Sequence, residues 1–198
     1  MPKVIRGFVR GVDAMNYFIG RIAMYLIFAL IGVLMWSSVS KTFFEPTLWT
    51  LEMAQFVMVA FYVLGGPYAI QMGSNVRMDL FYGNWTMRQK AWMDAFTVLF
   101  LMFYLGVLLY GAIGSTAYSL GHFTGEPFSF FWGLFTTLIT EGPSAAKEQM
   151  GFMERSPTAW RPYIWPVKTI MIIGVTLMLL QVTAEFFRDI GRIRGEEI

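Results

Sequence analysis

Between Met53 and Ile70 the chain carries no charged residue. A run of that kind is about the length an α-helix needs to cross the hydrocarbon core of a bilayer. Polar groups stand at both of its ends. Trp49-Thr50-Leu51-Glu52 leads into it, and Gly73-Ser74-Asn75-Val76-Arg77-Met78-Asp79-Leu80 follows it. Hydrocarbon does not tolerate an acid or a guanidinium without a partner. What satisfies these two ends is therefore the central question about the chain.

Composition extends the membrane reading to the whole sequence. Of 198 residues, 56% are hydrophobic and 14% charged, with a mean hydropathy of +0.53. Soluble domains carry about a quarter charged residues. The formal net charge of +2 is too small to argue for nucleic acid, and no basic run is interleaved with aromatics in a polar setting. Cysteine is absent, which excludes disulfides, thiolate metal sites and cysteine nucleophiles. One histidine, His122, cannot make a two-histidine haem site within one chain. No Ser-His-Asp set, phosphate loop or His-Glu metal motif is present, so neither an enzyme nor a cofactor is expected.

Four spans are expected, at about 22–40, 51–70, 92–118 and 163–187. Residues 1–21 read as an amphipathic cytoplasmic arm, with Val4, Ile5, Phe8, Val12 and Met15 at helical spacing among Arg6, Arg10 and Asp13. The arm either lies on the membrane surface or simply leads into a retained first span, since no small-residue cleavage site closes the apolar run. Gly20 and Gly32 offer close helix approach, as do Gly106, Gly111 and Gly114 in the third span. Trp36 suits an interfacial belt. Gly65-Gly66-Pro67 is expected to loosen or kink the second span. Residues 119–162 form an external insertion whose run Phe128–Ile139 is too short to cross and reads as an interfacial or re-entrant helix. Residues 188–198 form a cytoplasmic tail. The fold class is thus an all-α integral membrane protein of four transmembrane helices, forming a membrane domain over 22–187.

Lysine and arginine set the orientation. Lys3, Arg6, Arg10 and Arg21 stand in the arm, Arg77, Arg88 and Lys90 in the second connection, and Arg188, Arg192 and Arg194 in the tail. The first connection holds only Lys41. Both termini are expected in the cytoplasm, with Glu52 and the aromatic segment near the outer face.

The ionisable groups Glu52, Asp94, Lys168 and Glu185 all fall near span ends. Glu185 has Arg188 at i+3, a spacing that favours pairing. Asp94 reads as a helix-start carboxylate. Glu52 shares a helix face with Trp49. It is either a first-turn carboxylate with Thr50 or Thr47 as cap, or an acid directed at a partner protein. Asn75, Arg77 and Asp79 alternate with apolar residues, which suits a structural turn or a contact surface. His122 lies in a glycine-rich turn. Phe128, Phe130, Phe131, Trp132 and Phe135 crowd one short run, and exposed clusters of this kind mark a membrane surface or a protein contact.

In order and spacing these motifs resemble the small membrane subunit (DctQ type) of tripartite ATP-independent periplasmic (TRAP) transporters. The family pattern has Trp-Ser/Thr-x-Glu opening the second span, matched by Trp49-Thr50-Leu51-Glu52, and a span later His-Val-x-Val/Met-Asp. This chain has Asn75-Val76-Arg77-Met78-Asp79 there, with asparagine in place of the usual histidine. Gly125-Glu126-Pro127-Phe128-Ser129, Trp165-Pro166-Val167-Lys168, Gly174 and Gln181 follow in the family order. The similarity runs from about residue 15 to 190, and residues 130–160 look like an insertion. The resemblance implies a bacterial inner-membrane protein that joins a large multi-span subunit carrying the substrate and ion sites. It also implies a periplasmic substrate-binding protein that delivers an organic acid, uptake driven by an ion gradient, and a scaffold role for the small subunit. On that reading Trp49, Glu52, Asn75, Arg77 and Asp79 are subunit contacts. Phe128, Phe131, Trp132 and Phe135 meet membrane lipid or the binding protein. The rival readings are a membrane anchor of a redox enzyme and a self-sufficient small transporter.

Overall fold

In a computed structural model the chain is described over residues 3–73 and 85–195. Among the described residues six helices follow one another: α1 Lys3–Phe43, α2 Thr50–Gln71, α3 Met87–Ser119, α4 Pro127–Thr140, α5 Pro143–Glu148 and α6 Trp165–Arg194. Among the described residues, α1, α2, α3 and α6 are long and apolar enough to cross a membrane. The protein is all-α and spans the membrane several times.

The amphipathic pattern at the N-terminus is real, but it does not form a separate arm. No proline interrupts residues 3–43, and α1 runs unbroken for 41 residues, about 60 Å at 1.5 Å per residue. That is twice the hydrocarbon thickness. Its first turns project past the membrane segment and find a partner there, because α6 is also longer than a span. Val9 and Val12 bury against Ala184, with Ile5, Leu180 and Phe187 around them. Phe8 meets the Phe187 ring edge-on at 6.2 Å. The part of the apolar face at Ile5, Val9 and Val12 is therefore covered by the C-terminal end of α6, while Val4, Phe8 and Met15 stand exposed.

α2 remains helical through Gly65-Gly66-Pro67, where loosening was expected, and the Pro67 ring is buried. α3 starts at Met87, ahead of the expected Trp92. Thr86 caps it: Gln89 N donates to Thr86 Oγ1 at 3.4 Å, and Thr86 N donates to Gln89 Oε1 at 3.0 Å. This capping box places Asp94 beyond the first turn, where the helix-start role expected of it no longer applies.

The long helices stand in a row, α1 on α2, α2 on α6 and α6 on α3, with α1 also touching α6. Glycines set the two closest approaches. A Cβ on Gly20 would lie 2.3 Å from Tyr68 Cβ, and one on Gly174 would lie 2.2 Å from Val63 Cγ1 and 2.7 Å from its carbonyl oxygen. Leu105, Val175 and Val182 form the seam between α3 and α6, with Met102, Met171 and Met178 around them. Gly32, Gly106 and Gly111 have no described atom within 4 Å of an added Cβ, so the packing role expected of them is not used inside this chain. Gly114 meets only Pro127, at 3.8 Å. A row has two broad faces, and large apolar side chains such as Phe28, Tyr62, Phe100 and Phe103 stand exposed.

Candidate functional site at the two polar ends of the bundle

One end gathers the α1–α2 connection and the segment between α3 and α6. Glu52 stands in the first turn of α2 and is 4% exposed. Ser156 Oγ donates to its Oε1 at 3.2 Å, while Oε2 is buried with no donor among the described residues. Trp49 is half-buried beside it and takes the N-cap position without a side-chain cap bond. Thr50 and Thr47, expected as caps, instead join a chain of hydroxyls. Thr47 Oγ1 donates to Thr50 Oγ1 at 3.0 Å, and Thr50 Oγ1 donates to Ser37 Oγ at 3.2 Å. These bonds tie the end of α1 to the start of α2.

Ser156 belongs to a strap, residues 149–164, that is stitched across the same end. Gly151 N donates to Leu120 O at 3.1 Å and Glu154 N to Ser119 O at 3.0 Å. The first contact requires two glycines. Gly121 has φ +90°, and a Cβ there would lie 2.5 Å from Gly151 Cα. Within the strap Ser156 N donates to Pro162 O at 2.9 Å, and the Arg155 guanidinium lies 4.4 Å above the Tyr163 ring. Lys168 Nζ holds the strap from α6. It pairs with Glu154 Oε2 at 2.7 Å and donates to Ser115 O at 3.1 Å. The strap thus joins α2, α3 and α6.

α4 lies beside this end. Phe128, Trp132 and Phe135 are exposed, and Phe131 is half-buried. The Phe128 ring is 6.1 Å from Tyr110 on α3. His122 stacks on Phe130 with centroids 4.6 Å apart, and its Nε2 is buried without a partner among the described residues.

The opposite end holds a polar latch between α1, α2 and α6. Asn16 Nδ2 donates to Gln181 Oε1 at 2.7 Å, and Gln181 Nε2 donates to Asp13 Oδ1 at 3.1 Å. Arg188 pairs with both Asp13 and Glu185, the second pairing being the one expected from the i, i+3 spacing. Gln71 Nε2 closes the group onto Asp13 O at 3.2 Å. In the sequence Gln181 stands out only as part of a family pattern, with nothing that joins it to Asn16 and Asp13. The available signal was an amide inside the apolar run of α6. Asn75, Arg77 and Asp79 lie outside the described residues, so their expected contacts are not located. Among the described residues no cluster of three or more metal-ligating acids or histidines occurs.

The family model for tripartite ATP-independent periplasmic transporters, DctQ component, matches residues 30–192. The chain belongs to this family. No curated protein and no solved structure matches it. This DctQ component is therefore the small membrane subunit of a TRAP transporter, as its motifs suggested. Its Trp49-to-Glu52 motif lies where α1, α2 and the strap meet. Its Trp165-Pro166-Val167-Lys168 motif opens α6 and supplies the lysine that holds the strap. Its Gly174 and Gln181 serve the α2–α6 contact and the latch.

Proposed function

We propose that the chain is the static scaffold of an ion-gradient-driven importer of organic acids in a bacterial inner membrane. It works beside a large membrane subunit and a periplasmic binding protein. One observation carries the scaffold reading. Among the described residues Glu154 pairs with Lys168 at one end of the bundle, and Asp13, Glu185, Arg188, Asp189 and Arg192 form pairs at the other. A chain with its own transport path places ionisable groups along it. A row of helices with exposed apolar faces suits a surface against which another subunit is fixed.

The termini and the latch face the cytoplasm in this proposal, and the strap faces the periplasm. The lysine and arginine bias supports that orientation. Trp49 and the strap form the contact to the large subunit, together with Asn75, Arg77 and Asp79 at the other end. Burial of Glu52 under Ser156 favours a positioning role for the acid, which holds Trp49 and the strap in register. The α4 stripe of Phe128, Phe131, Trp132 and Phe135 meets the outer leaflet near where the binding protein docks. The one histidine, His122, stands beside α4, stacked on a phenylalanine, and among the described residues nothing favours the redox-anchor reading.

Reconstitution tests the proposal. Uptake of a labelled organic acid into liposomes should require this chain, the large subunit, the binding protein and an imposed ion gradient together. Uptake by this chain alone, or uptake needing ATP, would overturn it.

A further inference from the structure

A groove of about 370 Å³ runs along the outside of the bundle between α3 and α6. Tyr104, Val107, Gly111 and Ser115 line it from α3, and Met171 and Lys168 from α6. It exists because Gly111 presents no side chain where no described atom stands within 4 Å. The flank of α3 next to Gly111 is taken by α4, through Tyr110 and Gly114. The seam with α6 closes the other flank.

The geometry points to this groove as a binding site for one acyl chain of a glycerophospholipid, with the headgroup phosphate at Lys168. Length and polarity both select that occupant. From Tyr104 to Ser115 is about 16 Å along a helix, close to the half-thickness of about 15 Å that one leaflet's chains fill. The wall is almost wholly apolar along its length, with the Tyr104 ring at one end and Ser115 and the cationic Lys168 at the other. Lys168 Nζ gives two of its three N–H groups to Glu154 and Ser115 O, leaving one for a phosphate oxygen. In a bilayer an apolar wall gains nothing from one lipid over another by hydrophobicity. Residence therefore depends on the fit at Gly111 and on the charge-assisted bond at Lys168.

Native mass spectrometry of the full chain in detergent tests this, with dioleoyl phosphatidylglycerol as probe and dioleoylglycerol as the chain-matched control without phosphate. One phosphatidylglycerol should remain bound. Dioleoylglycerol should bind at least about tenfold more weakly, the loss of one charge-assisted hydrogen bond. Gly111→Leu, which fills the groove in a direction that is otherwise empty, should abolish the adduct while leaving helix content unchanged. Val107→Trp fills the same groove from an exposed position and should do the same, so the result does not hang on one variant. Lys168→Gln should reduce phosphatidylglycerol binding to the level of the control. Equal retention of the two lipids, or undiminished binding by both filled variants, would reduce the groove to ordinary annular contact and overturn the site. So would filled variants that keep the lipid and instead lose the large subunit on co-purification, because a protein helix would then be the occupant.

Discussion

Glu52 and Gly174 show how much rests on single positions in this chain. A buried carboxylate with one serine donor is poorly compensated, and leaving a polar atom unsatisfied costs about 1–3 kcal/mol. Ser156→Ala removes the only described donor to Glu52. It should lower the thermal stability of the purified chain by a free energy of that order and expose the strap to protease. Glu52→Gln keeps an acceptor for Ser156 but changes Oε2 to an amino group. It should weaken co-purification with the large subunit and lower uptake, while substrate binding by the soluble component stays unchanged. Normal assembly and normal uptake in the Glu52→Gln complex would mean that the charge is not needed and that the acceptor for Ser156 alone holds the strap. Gly174 is constrained by sterics. Gly174→Val would drive a side chain into Val63 and its backbone. Overpacking of that kind costs about 1–3 kcal/mol, readable as a lower unfolding temperature in detergent. Gly106→Val, on a face with nothing near it, should cost far less, and similar losses in both variants would contradict the packing described.

At the scale of elements, α1 and α6 are each longer than the membrane needs, and the latch joins Asp13 and Asn16 in the early turns of α1 to Gln181, Glu185 and Arg188 in the later turns of α6. Asn16 and Gln181 bond to each other while buried, so removing one should cost more than removing both. Gln181→Leu alone strands the Asn16 amide, at about 1–3 kcal/mol. The double variant Asn16→Leu, Gln181→Leu should recover part of that loss in a double-mutant cycle of unfolding free energies. Strict additivity would mean that the two amides do not interact. The stripe of α4 makes a different prediction. The absence of cysteine allows clean single-site spin labelling. Labels at Trp132 and Phe135 should be reached by oxygen dissolved in the hydrocarbon, as expected for an apolar face buried about 5–10 Å into the headgroup–acyl boundary. A label at Thr137, which is buried and bonded to Gln149, should be shielded. Water-like accessibility at Trp132 and Phe135 would place α4 clear of the membrane.

For the whole molecule, the row of four spanning helices brings the start of α1 and the end of α6 to one end, and the strap to the other. Reporter fusions after Asn84 and after Glu148 should therefore give opposite compartment signals. Identical signals would overturn the four-span topology. A row also buries less surface than a closed bundle. Co-expression with the large subunit should consequently raise the chain's yield and its unfolding temperature, because a partner that binds only the folded state stabilises it.

Span number, the charge-poor middle of the spans and the class of protein were legible in the sequence, because each depends on the match between local composition and bilayer thickness. The pairing of Glu185 with Arg188 was legible for the same local reason, the pitch of one helix. Tertiary structure decided the rest. Glu52 finds Ser156 across 104 positions, and Asn16 finds Gln181 across 165; no spacing rule reaches so far. Among the glycines of the spans, Gly20 and Gly174 touch a neighbouring helix and Gly32, Gly106 and Gly111 do not. Which face a glycine presents depends on how its helix is rotated against the others, and that rotation is set by packing. The N-terminal amphipathic pattern showed an apolar face needing cover, but only the extended length of α6 determined that its Ile5, Val9 and Val12 would be covered by a helix while Val4, Phe8 and Met15 stay exposed.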